Sequence, residues 1–213
     1  MINIFFIFLI LVGYINIKDM KRFIILIILL SASFFSSAYT LQYIGTIEAK
    51  KYNDVWEEYF DADIDLYAGS DGEWSNIRLV FDMSLDTYNY DIVFSGMNPS
   101  IDSEFETLHA HLTKAKDWTK IAKDNNANTN KDIGSCNVSG TKCKVSFVSS
   151  NGGRNIVTKI YIKEDATFTL NEDTFRLTPR QLDTLLGWLD NRRMVNVLKN
   201  SAKENNQSDD LFN

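Results

Sequence analysis

Cys136 and Cys143, the only two cysteines in 213 residues, stand in CNVSGTKC with a Ser139-Gly140 turn signal midway between them. A hairpin centred on that turn sets the two sulfurs opposite each other. Cross-strand neighbours hold their Cβ atoms about 4.5–5.5 Å apart and a disulfide needs nearer 3.8 Å, so a small adjustment suffices. The spacing therefore predicts a structural disulfide. Metal ligation is the alternative, but neither a CxxC pair nor a His pair accompanies these cysteines.

His109 and His111 are the only two histidines. On a helix, residues two apart point about 200° apart, so this pair cannot share an ion. Each reads as a boundary residue beside an apolar stripe. Neither GxSxG nor HExxH occurs. Asp61, Asp63 and Asp65 begin like a calcium loop, but Leu66 replaces the glycine at its sixth position and Gly72 the bidentate glutamate at its twelfth. The alternation in FDADIDLY instead predicts a half-buried strand. Phe60, Ala62, Ile64 and Leu66 face one way and the three carboxylates the other. That carboxylate face, with Asp71 or Glu73 beside it, is a candidate binding surface and at most a weak cation site. Asp82, Asp91 and Glu104 add carboxylates without a spacing signature. A glycosidase pair among them would be defined only by separation in space.

Lys116, Lys120 and Lys123 alternate with Asp117 and Asp124 and read as a solvated helix face. Asn137-Val138-Ser139 is a glycosylation sequon, relevant only to a eukaryotic secretory route. Trp188 lies about 110° from the centre of its helix's leucine stripe. A large aromatic off the core face is either a recognition anchor for a partner or packed on a neighbouring segment. No cofactor or metal is expected from these residues.

The elements that must position these groups follow from periodicity. Leu41–Glu48, Phe60–Tyr67, Trp74–Met83 and Tyr90–Ser95 read as strands with short links, which favours an antiparallel meander. Lys50–Tyr59 is mixed, with room for a helical turn around Val55–Tyr59. Ile101–Lys123 repeats apolar residues at helical spacings and is the strongest helix. DNNANTNKD follows as a polar loop. Lys142–Ser149 and Asn155–Lys163 flank Asn151-Gly152, a type I′ hairpin signal. Ala166–Leu170 and Thr174–Leu177 flank a turn at NED. Thr178, Pro179 and Gln181 form a capping box opening a helix to about Asp190, with Leu182, Leu185, Leu186 and Leu189 as its stripe. Residues 201–213 are polar and read as a frayed tail.

The first 38 residues predict a destination. Lys21 and Arg22 form a charged region, Phe23–Leu30 an apolar one, and Ser36-Ser37-Ala38 a small-residue cleavage signal, the three parts of a signal peptide starting at Met20. A short membrane hairpin is the alternative. Met1–Ile17 and Phe23–Tyr39 are uncharged runs of 17 residues, and Lys18, Lys21 and Arg22 between them favour a cytoplasmic connection. Both readings export the remainder to the periplasm or beyond, and membrane contact is expected only through this segment. Three of the 22 Lys plus Arg and one of the 28 Asp plus Glu precede residue 39, so the exported part carries a net charge of −8. Such a surface repels phosphate backbones, which excludes nucleic acid as a partner.

The sequence thus predicts a single exported α+β domain over residues 39–200. A mostly antiparallel sheet in two strand-rich halves is covered by two amphipathic helices. The leading functional class is a non-catalytic envelope protein of inhibitor or immunity type that binds another protein or a cell-wall component. A wall- or glycan-directed hydrolase using paired carboxylates and a membrane-tethered envelope subunit are the alternatives.

Overall fold

The computed structural model describes residues 41–53, 56–82, 89–97, 103–138, 140–166 and 169–210. The export segment and its cleavage site lie outside them, as do the 54–55, 83–88 and 167–168 links. No helix among the described residues is long and apolar enough to cross a membrane.

Alternation of apolar and polar side chains builds eight antiparallel strands: β1 (Gln42–Asn53), β2 (Glu58–Ser70), β3 (Trp74–Asp82), β4 (Tyr90–Met97), β5 (Thr129–Val138), β6 (Thr141–Ser150), β7 (Asn155–Ala166) and β8 (Thr169–Leu177). They form one sheet in the order β4-β3-β2-β1-β8-β7-β6-β5. Two four-stranded meanders therefore meet at a β1–β8 seam. Three helices, α1 (Ser103–Asp124), α2 (Pro179–Trp188) and α3 (Asn191–Asp210), complete the α+β fold.

Several elements differ from the sequence expectation. β1 runs through Lys50–Asn53 into a hairpin instead of a helical turn, and Glu57 in that hairpin has φ 53°. β5 occupies the end of the stretch read as a polar loop. The NED segment lies inside β8 and makes no turn. A third helix carries the chain to Asp210, and Ser201 and Ala202 in the stretch read as a frayed tail are buried. In α3, Ser201 Oγ accepts from Ser70 N at 3.1 Å and Asn205 Nδ2 donates to Ser70 O at 2.9 Å, which fastens the helix to the end of β2. The Asn151-Gly152 hairpin forms as expected, both residues having positive φ.

One sheet face is mostly apolar, with Lys51, Asp173 and a few hydroxyl side chains among its residues. Cross-strand rows such as Leu66–Leu79–Ile92 and Val145–Ile160–Phe175 are buried. The sheet rolls around this inner face. Phe81 on β3 lies 4.8 Å from Phe175 on β8, three strands away, where a flat sheet would hold them about 14 Å apart. α1 lays Phe105, Leu108, Leu112 and Ala115 into the core, with Phe105 edge-on to Phe94. α2, opened by the Thr178–Gln181 capping box, buries Leu182, Leu185 and Leu186.

Edge strand β5 is partly covered. Glu104 Oε2 accepts from Asn137 N at 3.1 Å, and His111 Nε2 lies 3.3 Å from Ser135 O. A side chain at Gly134 would collide with the His111 ring, its Cβ falling 2.3 Å away. Side chains of α1 thus satisfy backbone groups that an edge strand leaves unpaired.

The seam ladder is short, pairing only Lys50–Tyr52 with Thr174–Arg176. Beside it, on the inner face, Lys51 Nζ lies 3.1 Å from Asp173 Oδ1, and the Tyr90 hydroxyl donates to Asp173 Oδ2 at 2.6 Å. The two charged side chains are only 10% and 14% exposed. One carboxylate thereby ties β1 and β4 to β8.

Removing one member of a nearly buried pair leaves the other without its counter-charge, which costs several kcal/mol. Asp173→Ala should lower stability by about 2–4 kcal/mol, allowing for the residual exposure. Asp61→Asn, in the exposed pair with Lys50, should cost less than about 1 kcal/mol. Denaturant titration of the two variants checks the contrast.

Candidate functional site

Because successive strand residues alternate between faces, everything opposite the core lies on the outer face of the sheet. β2 places Asp61, Asp63 and Asp65 there, as the sequence predicts. Strand register adds what the sequence could not. Glu48 on β1 stands opposite Asp63, and Asp63 stands opposite Asp82 on β3, so three carboxylates share one cross-strand row. Asp61 is paired with Lys50, and Asp65 accepts from the Thr46 hydroxyl.

Tyrosine pairs bracket this carboxylate field. Tyr43 and Tyr67 lie 5.6 Å apart at one end. Tyr52 and Tyr59 lie 4.9 Å apart at the other, with the Arg176 guanidinium 4.2 Å from the Tyr59 ring centre. Trp56, in the adjacent hairpin, is 70% exposed.

Across the seam the sign reverses. Lys142, Lys144, Lys159, Lys163 and Arg176 occupy the outer positions of β6, β7 and β8. Glu172 accepts from Tyr161 and Lys163, which holds its carboxyl below the usual range. Burial and the same hydrogen bond push the Tyr161 hydroxyl up to about 12. One continuous face thus carries an acidic half and a basic half.

The acidic half is a ladder and makes no cage. Residues two apart on a strand repeat at about 7 Å, too far to converge on one ion. Among the described residues no three His, Cys, Asp or Glu side chains come together closely enough to hold a metal.

The other candidates fall elsewhere. Trp188 is half-buried on the inner side, over Gly45, where a Cβ would lie 2.6 Å from its ring. It packs where the chain leaves no side chain on β1. His109 and His111 are both half-buried on α1, and His111 serves the β5 edge. Lys116 pairs with Asp183 of α2 at 3.0 Å. With Lys120 and Lys123 it lines a shallow groove of about 280 Å³ between the two helices.

Cys136 and Cys143 stand directly opposite each other on β5 and β6, as the turn signal predicts, but they are free thiols rather than the expected disulfide. The regular ladder keeps cross-strand Cβ atoms farther apart than a disulfide requires. Both thiols are buried. The hydrogen bond with Cys136, followed by burial, pushes the Cys143 thiol far above its ordinary value. Neither is poised as a nucleophile.

Comparison with protein-family models, with curated proteins and with solved structures finds no match to this chain.

Partial burial raises the Asp63 carboxyl above its ordinary value, and the charges of Asp65, Glu48, Asp82 and Asp61 add to it. A raised native value means that the folded chain binds more protons than the unfolded one in the window just above the ordinary aspartate pKa. Stability therefore falls as pH rises through that window. Asp63→Asn removes the penalty and should raise stability at neutral pH by less than about 1 kcal/mol, since the site is solvent-screened. The gain should disappear below the ordinary aspartate pKa and shrink in high salt. Thermal unfolding across pH measures it.

Proposed function

We propose that the protein is an exported, non-catalytic binding protein of the cell envelope, of the inhibitor or immunity kind, whose partner is another protein or a cell-wall component. The partner docks on the outer face of the sheet. The observation that carries this reading is the cross-strand row Glu48–Asp63–Asp82 on an open face. Like charges directly opposite one another weaken a sheet. A surface that only had to stay soluble would intersperse the two signs. Here carboxylates outnumber the cations Lys50 and Arg78 and stand beside rigid aromatic pairs, the residue types that anchor interfaces. A partner with cationic groups that meets β1–β3 relieves the repulsion, and the tyrosines at both ends supply apolar contact.

Export enters this reading from Lys21–Arg22, Phe23–Leu30 and Ser36–Ala38. A protein with its core filled on the inner face and its charged face outward has the build of a docking platform. Enzyme active sites are usually concave, and the carboxylates of β2 instead lie along an open strand.

The test is capture from envelope extract. Wild-type protein should retain a partner at low ionic strength and release it at about 1 M salt, where the screening length falls to about 3 Å. The triple variant Glu48→Lys, Asp63→Lys, Asp82→Lys should retain at least tenfold less. Equal retention by the two proteins, or release of soluble fragments from cell walls by the wild type, contradicts the reading.

A further inference from the structure

A second surface, separate from the outer face, has the chemistry of a small-molecule site. Where α1 ends beside the start of β5 and the end of β6, a groove of about 320 Å³ opens toward the core. Phe147, 1% exposed, and Ala122, 2% exposed, reach its floor from the packed interior. Trp118 forms one wall, its ring edge-on to Phe147 at 5.8 Å and 83°. Ile121 stands at the lip, 55% exposed. A large aliphatic side chain left at the mouth of an aromatic-walled recess, within the size range of ligand pockets, is the usual composition of a site for an apolar body.

The polar groups of the groove select the other end of that ligand. Lys131 projects from β5 at the rim. The Lys114 ammonium lies 5.1 Å from the Trp118 ring centre, outside the groove lining. Lys131 thus sets a cation at the rim of the recess on a domain whose net charge is negative. The end of a helix would ordinarily present bare carbonyl oxygens and repel an anion. Here hydrogen bonds occupy those of Ile121, Ala122 and Lys123. Ala127 N donates to Ala122 O at 2.9 Å and Asn125 N to Ile121 O at 3.1 Å.

We propose that this groove binds a medium-chain organic acid. The alkyl body lies against Trp118 and Ile121, above the Phe147 floor, and the carboxylate faces Lys131. The site shares no residue with the carboxylate row on the outer face, so the two proposals stand or fall independently.

The probe is decanoate, compared with decanol and decyltrimethylammonium by titration calorimetry on the full domain. Decanoate should bind saturably at one site, at least tenfold more tightly than decanol and more tightly still than the cation. Ile121→Glu should weaken decanoate at least tenfold. Lys131→Gln should weaken decanoate severalfold and leave decanol unchanged. Both side chains are exposed, so the variants should keep the wild-type unfolding midpoint, and the triple outer-face variant should bind decanoate normally. Absence of saturable decanoate binding, equal affinity for the three amphiphiles, or unaltered binding by Ile121→Glu overturns the proposal.

Discussion

The carboxylate of Asp173 receives both the Lys51 ammonium and the Tyr90 hydroxyl on the inner face of a rolled sheet. Everything else in the architecture depends on this meeting of three strands. The seam between the two meanders has only three residue pairs, whereas the neighbouring β1–β2 ladder has eleven. A short ladder cannot by its backbone bonds alone make two meanders behave as one sheet. The ion pair, the Tyr90 bond and the Phe81–Phe175–Tyr90 aromatic cluster supply the rest from within. Nearly buried pairs are strong links only while both partners remain, because each charge is left uncompensated when the other goes.

A sheet joined in this way commits one face to the core and leaves the other whole. Helices α1, α2 and α3 and their leucine, phenylalanine and methionine side chains cover the inner side. The outer side is then free to segregate charge, carboxylates on β1–β3 and amines on β6–β8. Such a division has a cost in local repulsion, visible in the raised carboxyl of Asp63. It also gives the face an orientation, so that an approaching charged partner is steered to one half. The groove at the end of α1 lies between Trp118 and Ile121 of the helix and Thr129 and Lys131 of β5, over the buried Phe147 ring.

Where burial and periodicity coincide, the fold was legible in the residues. The alternation of Phe60–Leu66 gave both the strand and its carboxylate face. The leucines after Pro179 gave a helix and its buried stripe, and Thr178 and Gln181 gave its start. The turn at Ser139-Gly140 reveals the Cys136 end of β5, but its start, TNKDIG, is an edge segment of mostly polar, exposed residues whose alternation carries no hydrophobic signal. The NED segment reads as a turn by composition, yet ladder pairing with β7 holds it extended, a tertiary override of local preference. The candidate site was half legible. Asp61, Asp63 and Asp65 are neighbours along the chain, but Glu48 and Asp82 join them only through register. Lys51 and Asp173 were invisible for the opposite reason, since a charge pointing inward looks in sequence like any surface charge.

Native-state hydrogen exchange tests the central claim, that interior contacts at the seam make one cooperative sheet of two meanders. Core amides of β2 and β3 should exchange through the same global unfolding event, with the same free energy, as those of β6 and β7. Asp173→Asn should lower both sets equally. Two sets with separate free energies, of which only one responds to the substitution, would contradict the account and describe two independently stable half-sheets.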